Sequence, residues 1–251
     1  MKIYRYPEKD LWGEITSRPR LDLTKLNETV AQVLSDVRQR GDEAIKEYEQ
    51  KFDHAILDTL AVSKAEMDEA EQLVSRELNE AIILAHHNIH TFHETQRFEG
   101  CQVETQPGVK CWQKSVAIER VGLYIPGGTA PLFSTVLMLA TPAKIAGCQE
   151  IVLCTPPNKE GKVNPAILVA ARIAGVSKIF KAGGVQAIGA MAYGTQSVLI
   201  EDIEKSIFLH TLTTIFKQDI EVTAFLGFTS GTAADDGHLR SEEHTSELQS
   251  R

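Results

Sequence analysis

The sequence predicts an α/β fold in which an N-terminal helical region leads into a parallel βα sheet. Three observations predict it. Apolar strand-like runs occur at Val121–Ile125, Ile151–Cys154 and Lys178–Phe180, separated by the length of one strand–helix unit. Each run is followed by a proline- or glycine-rich turn: Pro126-Gly127-Gly128, Pro156-Pro157 and Gly183-Gly184. Ahead of them, residues 1–97 carry apolar positions at helical spacing. The arrangement is Rossmann-like and reads as truncated, because its rhythm stops after Val198.

In the helical region, Leu26, Val30, Val33, Leu34 and Val37 mark one helix, with Gly41 as its stop. Ala44, Ile45, Tyr48 and Phe52 mark a second. Ser63-Lys64-Ala65-Glu66 has the form of a capping box, in which the two side chains satisfy each other's free amides at a helix start. A longer helix follows Ser75 and carries Leu78, Ile82, Ile83, Ile89 and Phe92. This region is expected to supply packing or interface surface, not chemistry. Cys101–Lys114 is strand-like and interrupted at Pro107-Gly108.

In the sheet region, Pro131 suits the first turn of a helix, and Asn164-Pro165 is a cap followed by a first-turn proline. Gly147 and Gly175 stand where helix C-terminal glycines belong. The helix LFSTVLMLATPAKIAG is apolar on most sides, which predicts deep burial, and Pro142 should kink or break it. The expected organisation is a helical region at 1–114, a nucleotide-binding α/β domain at 115–198, and an unrelated tail at 199–251.

Bulk properties exclude several classes. The chain has 251 residues and a formal charge of −8, so it lacks the basic excess of a nucleic-acid binder. The apolar segment Pro131–Gly147 is too short and too polar to span a bilayer. The start, MKIYRYPEKDLW, has no apolar secretory core. Cys101, Cys111, Cys148 and Cys154 lack metal-type spacing and fit a reduced, cytoplasmic setting.

Ligands of open parallel sheets bind beyond the carboxyl ends of the strands. Gly127 and Gly128 would let a phosphate approach the backbone, and the next helix would offer free amides and a favourable dipole. Tyr124 could set its ring or hydroxyl against a nucleotide, and Gln186 could supply an amide. The alternative is that the glycines only make tight turns and Tyr124 is a sheet aromatic, since no G-x-G-x-x-G fingerprint is present. Cys154 could act as a thiolate nucleophile, but no basic neighbour lowers its pKa, and a small buried hydrophobe is the preferred reading. His86, His90 and His93 share one helix face with geometry adequate for zinc. His87 lies on the same helix, and a polar face is preferred there too, because nothing else marks the helix as a site.

The stretch IERVGLYIPGGTAPLFSTVLMLATPAKIAGCQEIVLCTPP, followed by GGVQAIGAMAYGTQSV, resembles histidinol dehydrogenase. The FHE-x-Q segment (Phe92, His93, Glu94, Gln96) and the N-terminal helices are similar too, so the resemblance covers about residues 1–198. It implies a zinc- and NAD-dependent homodimer that oxidises L-histidinol through the aldehyde to L-histidine. Tyr124, in YIPGG, and Gln186, in GG-x-Q, fall on the family's NAD-contacting positions. The resemblance also implies a Glu-His proton-transfer pair, zinc ligands and a Gly-Pro-Gly-Asn turn further on. None of these matches residues 199–251, so no catalytic or metal residue is assigned, and His210 and His238 are not candidates. RSEEHTSELQSR (Arg240–Arg251) resembles the translation of a common sequencing adapter, which points to an assembly artefact, the alternative being a real but unusual polar tail. The expected function is therefore that of an inactive part of this enzyme. The competing readings are a non-catalytic nucleotide-binding α/β module and a product with no cellular role.

Overall fold

A computed structural model of the chain describes residues 4–17, 24–113, 115–127, 130–198 and the backbone of 208–209. The short helix α1 spans Trp12–Thr16. Helix α2 spans Thr24–Arg40 and buries Val33 and Val37 from the expected stripe. Gly41 ends it, donating its N–H to the Val37 carbonyl at 2.9 Å with a φ of 59° that favours glycine. Helix α3, Asp42–Tyr48, continues into a π-helical turn at Glu49–Asp53, closed by His54 in the left-handed region.

Helix α4, Lys64–Leu73, opens with the expected capping box. Ser63 Oγ accepts the Glu66 amide at 3.2 Å, and Glu66 Oε2 accepts the Ser63 amide at 2.8 Å. Ser75 caps α5, Arg76–Glu94, by accepting the Leu78 amide. Strands β1, Gln102–Gln106, and β2, Val109–Trp112, pair as an antiparallel hairpin around Pro107-Gly108.

The three predicted runs form β3 (Arg120–Tyr124), β4 (Glu150–Thr155) and β5 (Lys178–Lys181). They are parallel with β4 in the middle; Tyr124 stands beside Cys154, and Cys154 beside Phe180. The pair Phe208–Leu209, β6, runs parallel to β3 on its other edge. The crossovers are α6, Phe133–Ile145, and α7, Pro165–Ile173; α8, Gly184–Tyr193, follows β5.

Alternation along the strands makes three layers. Leu123, Ile151 and Leu153 face a core built with α6 and α7 and covered by α4 and α5. Val152, Cys154 and Phe180 face the other core, shared by α2, α3 and α8. Leu123, Ile151 and Leu153 have no exposed surface, and burying each such side chain contributes roughly 1.5–3 kcal/mol. The N-terminal helices thus cover both faces of the sheet.

Two local expectations change. Helix α6 runs through Pro142 to Ile145 without breaking. The proline lies near its end, and the burial of Val136, Leu137, Leu139 and Ala140 holds the helix in place against the one missing amide bond. The expected deep burial holds for Val136, Leu137, Leu139, Ala140, Thr141 and Ala143, while Met138 is 45% exposed. Pro131 sits just ahead of the cap residue Leu132, outside the first turn. Asn164 caps α7 as expected, accepting the Ala166 amide at 2.9 Å, with Pro165 at the first helical position.

Candidate functional site

The turns after β3, β4 and β5 meet at the carboxyl edge of the sheet, and a cleft of about 1030 Å³ opens above them. Tyr124, Thr155, Pro156 and Gln186 line its floor, while α2 and α4 contribute Val30, Val33 and Ala70 to its walls. Lys162 lies in the lining, paired with both carboxylate oxygens of Glu69 at 3.0 Å.

Pro156 sets the spacing of the turns. A Cβ on Gly127 would fall 2.5 Å from Pro156 Cγ, and one on Gly183 would fall 2.7 Å from Pro156 Cβ. The bare backbone at Gly127 therefore makes room for a neighbouring proline ring. Gly128 lies outside the described residues.

Tyr124 and Gln186 are brought together at the first turn of α8. The Tyr124 hydroxyl accepts the Gly184 amide at 2.8 Å. Burial, ahead of the nearby Asp53 and Glu49 charges, pushes its pKa up to about 12, so it keeps a proton to donate. Gln186 is 1% exposed and donates Nε2 to Glu49 Oε1 at 2.9 Å. The same oxygen accepts the Gly183 amide at 2.7 Å. Gln186 thus turns its nitrogen inward, which leaves its carbonyl oxygen as the acceptor. Among the described residues no acceptor meets the amides of Val185 and Gln186, which are free donors at the start of α8.

Glu49 and Asp53 were missed by sequence reasoning, which gave this region only packing. The signal was present: Glu49 follows Ile45 by four residues, on the buried face of a helix where an apolar residue belongs. Burial, and then Asp53 beside it, raise the Glu49 pKa to about 7 against the bonds from Gly183 and Gln186.

The other candidates fall elsewhere. Cys154 is fully buried at the centre of the sheet, and burial pushes its thiol up to about 12, which removes the thiolate a nucleophile needs. The rings of His86 and His90 are 6.0 Å apart, and His93 Nδ1 pairs with Gln96 Oε1 at 2.8 Å. Among the described residues, no three His, Cys, Asp or Glu side chains are grouped to hold a metal ion. No helix there is long and apolar enough to cross a membrane. His210, His238 and the segment Arg240–Arg251 lie outside the described residues.

A parallel sheet flanked by helices, with a cleft at its carboxyl edge, defines an α/β protein of Rossmann-like build. Residues 16–205 match the family described as histidinol dehydrogenase. The histidinol dehydrogenase of Bacteroides fragilis is 65% identical over 198 residues, which are 79% of this chain and 46% of that protein. That of Bacteroides thetaiotaomicron is 63% identical over the same shares. A crystal structure of histidinol dehydrogenase from Elizabethkingia anophelis is 46% identical with a TM-score of 0.72, over 77% of this chain and 45% of that one. The chain belongs to the histidinol dehydrogenase family, oxidoreductases of histidine biosynthesis. It spans about half the length of the curated relatives it matches.

Proposed function

We propose that this chain carries the NAD-holding part of a histidinol dehydrogenase, with residues 115–198 as the nucleotide-binding domain and the helices of 1–114 as its walls. One observation carries the reading: Tyr124 and Gln186 converge on the first turn of α8, at the floor of a cleft of about 1030 Å³. The donor set suits a dinucleotide. Tyr124 supplies a protonated hydroxyl, α8 supplies the amides of Val185 and Gln186 at its positive end, and Gln186 supplies a carbonyl. The unpaired Thr155 Oγ1, buried in the lining, is a further acceptor or donor. When bound here, NAD would supply a hydride acceptor, one molecule for the alcohol and a second for the hydrated aldehyde. The chain's own groups orient the nucleotide and keep one side of it dry.

Zinc, the substrate L-histidinol, homodimer formation and a cytoplasmic setting go with this reading as properties of the whole family member. The described residues supply no group of ligands for zinc, so no step is assigned to it. The chain alone is expected to bind NADH and not to oxidise histidinol. The test is NADH fluorescence titration of the 251-residue chain, with Tyr124→Ala and Gln186→Ala as comparisons. Saturable binding weakened at least tenfold by either change supports the assignment, and binding indifferent to both rejects it. NADH production from histidinol, zinc and NAD by this chain would reject the expectation of inactivity.

A further inference from the structure

Glu49 holds more chemistry than the cofactor reading uses. It has no exposed surface, and one of its oxygens, Oε1, accepts from both the Gly183 amide and Gln186 Nε2. Its other oxygen, Oε2, is buried without a donor. Asp53, four residues on and part of the cleft lining, brings a second carboxyl against the Glu49 side chain. A buried carboxylate with half its acceptor capacity unmet costs free energy. A glutamine at position 49 would accept the same two bonds without that cost, so packing alone does not call for an acid here.

Resting on the cofactor reading, we infer that Glu49 is a positioning residue for the nucleotide: ionised, it grips Gly183 and Gln186 and turns the Gln186 carbonyl toward the cleft, and protonated, it bonds Asp53 and loosens that grip. The bonds from an ionised acceptor are shorter and stronger than those to a neutral one, which gives the two states different holds on α8. The proton leaves Glu49 for solvent by way of Asp53, which reaches the cleft. The groups facing the pair are Tyr124 and Cys154 from the sheet and His54 beside Asp53. The Tyr124 hydroxyl and Cys154 thiol are both pushed up to about 12 and stay neutral, whereas Glu49 changes charge near 7.

Two measurements on the full 251-residue chain test this. The first follows the Gln186 side-chain amide and the Gly183 backbone amide by NMR between pH 5 and pH 9, without nucleotide. Both are expected to titrate with one midpoint near 7. Asp53→Asn should lower that midpoint by removing a like charge, and Glu49→Gln should abolish the titration while leaving both amides bonded. A titration that persists in Glu49→Gln belongs to another group and overturns the inference. The second measures NADH affinity at pH 6 and pH 8. The wild-type chain is expected to bind at least threefold tighter at pH 8, and Glu49→Gln equally at both. Equal affinities in the wild type, or the same change in the variant, overturn the positioning role. If the amides titrate but the wild-type chain binds no NADH at either pH, the cofactor reading and the positioning role both fall, and only the carboxylate clamp stands. If NADH binds without any amide titration, the clamp falls and the cofactor reading stands.

Discussion

The Tyr124 hydroxyl accepts the backbone N–H of Gly184 at 2.8 Å, and this bond ties the end of β3 to the start of α8. Tyr124→Phe removes the acceptor and leaves a part-buried amide unpaired. A loss of about 1–2 kcal/mol in urea unfolding is expected. An unchanged unfolding midpoint would mean that the bond contributes nothing.

The pH dependence of stability follows from Glu49. Its pKa is 4.5 in an ordinary setting and about 7 in the fold, so the folded chain holds the proton more tightly than the unfolded one. The stability from that proton is complete below about 4.5 and is lost as pH rises through 7, by ~3 kcal/mol. Glu49→Gln should flatten this part of the curve and make the chain more stable than wild type at pH 8. Parallel curves for the two proteins between pH 5 and pH 8 would contradict it.

Gly127→Ala and Gly183→Ala each drive a methyl group into Pro156. Each is expected to cost about 1–3 kcal/mol. Pro156→Ala should recover much of the loss in Gly127→Ala, whose methyl meets Pro156 Cγ, and little in Gly183→Ala, whose methyl meets the Cβ that alanine keeps. A double-mutant cycle of Gly127→Ala with Pro156→Ala that comes out additive would show that those two sites do not touch.

Ser63→Ala deletes one half of the capping box at the start of α4. Thermal unfolding should reveal a loss of ~1 kcal/mol. A variant as stable as wild type would assign the helix start to packing alone.

The sheet was legible because each signal was local. The strands open at Arg120, Glu150 and Lys178, at or one residue before the apolar runs that begin at Val121, Ile151 and Lys178, and Asn164 and Ser63 cap helices with their own side chains. Tyr124 and Gln186 were legible as residues beside glycine turns, while their bonds to Gly184 and Glu49 were not. What sequence could not supply was contact across long separations. Glu49 meets Gly183 across 134 residues and Gln186 across 137. Periodicity could mark Glu49 as an acid on an apolar face, but only the folded chain says what it faces. Gly127 shows the same limit. Its need for a bare backbone was visible, while the proline that imposes the need lies one strand away.

Pro156 gives the carboxyl edge a keystone. Its ring fills the space that side chains at Gly127 and Gly183 would occupy, so the loops after β3 and β5 are wedged against the loop after β4 and cannot close in on it separately. Proline itself has few conformations to lose. A cleft wedged in this way has its shape before anything enters it. Little ordering entropy then opposes binding, and ligand contacts made by one loop are felt by all three.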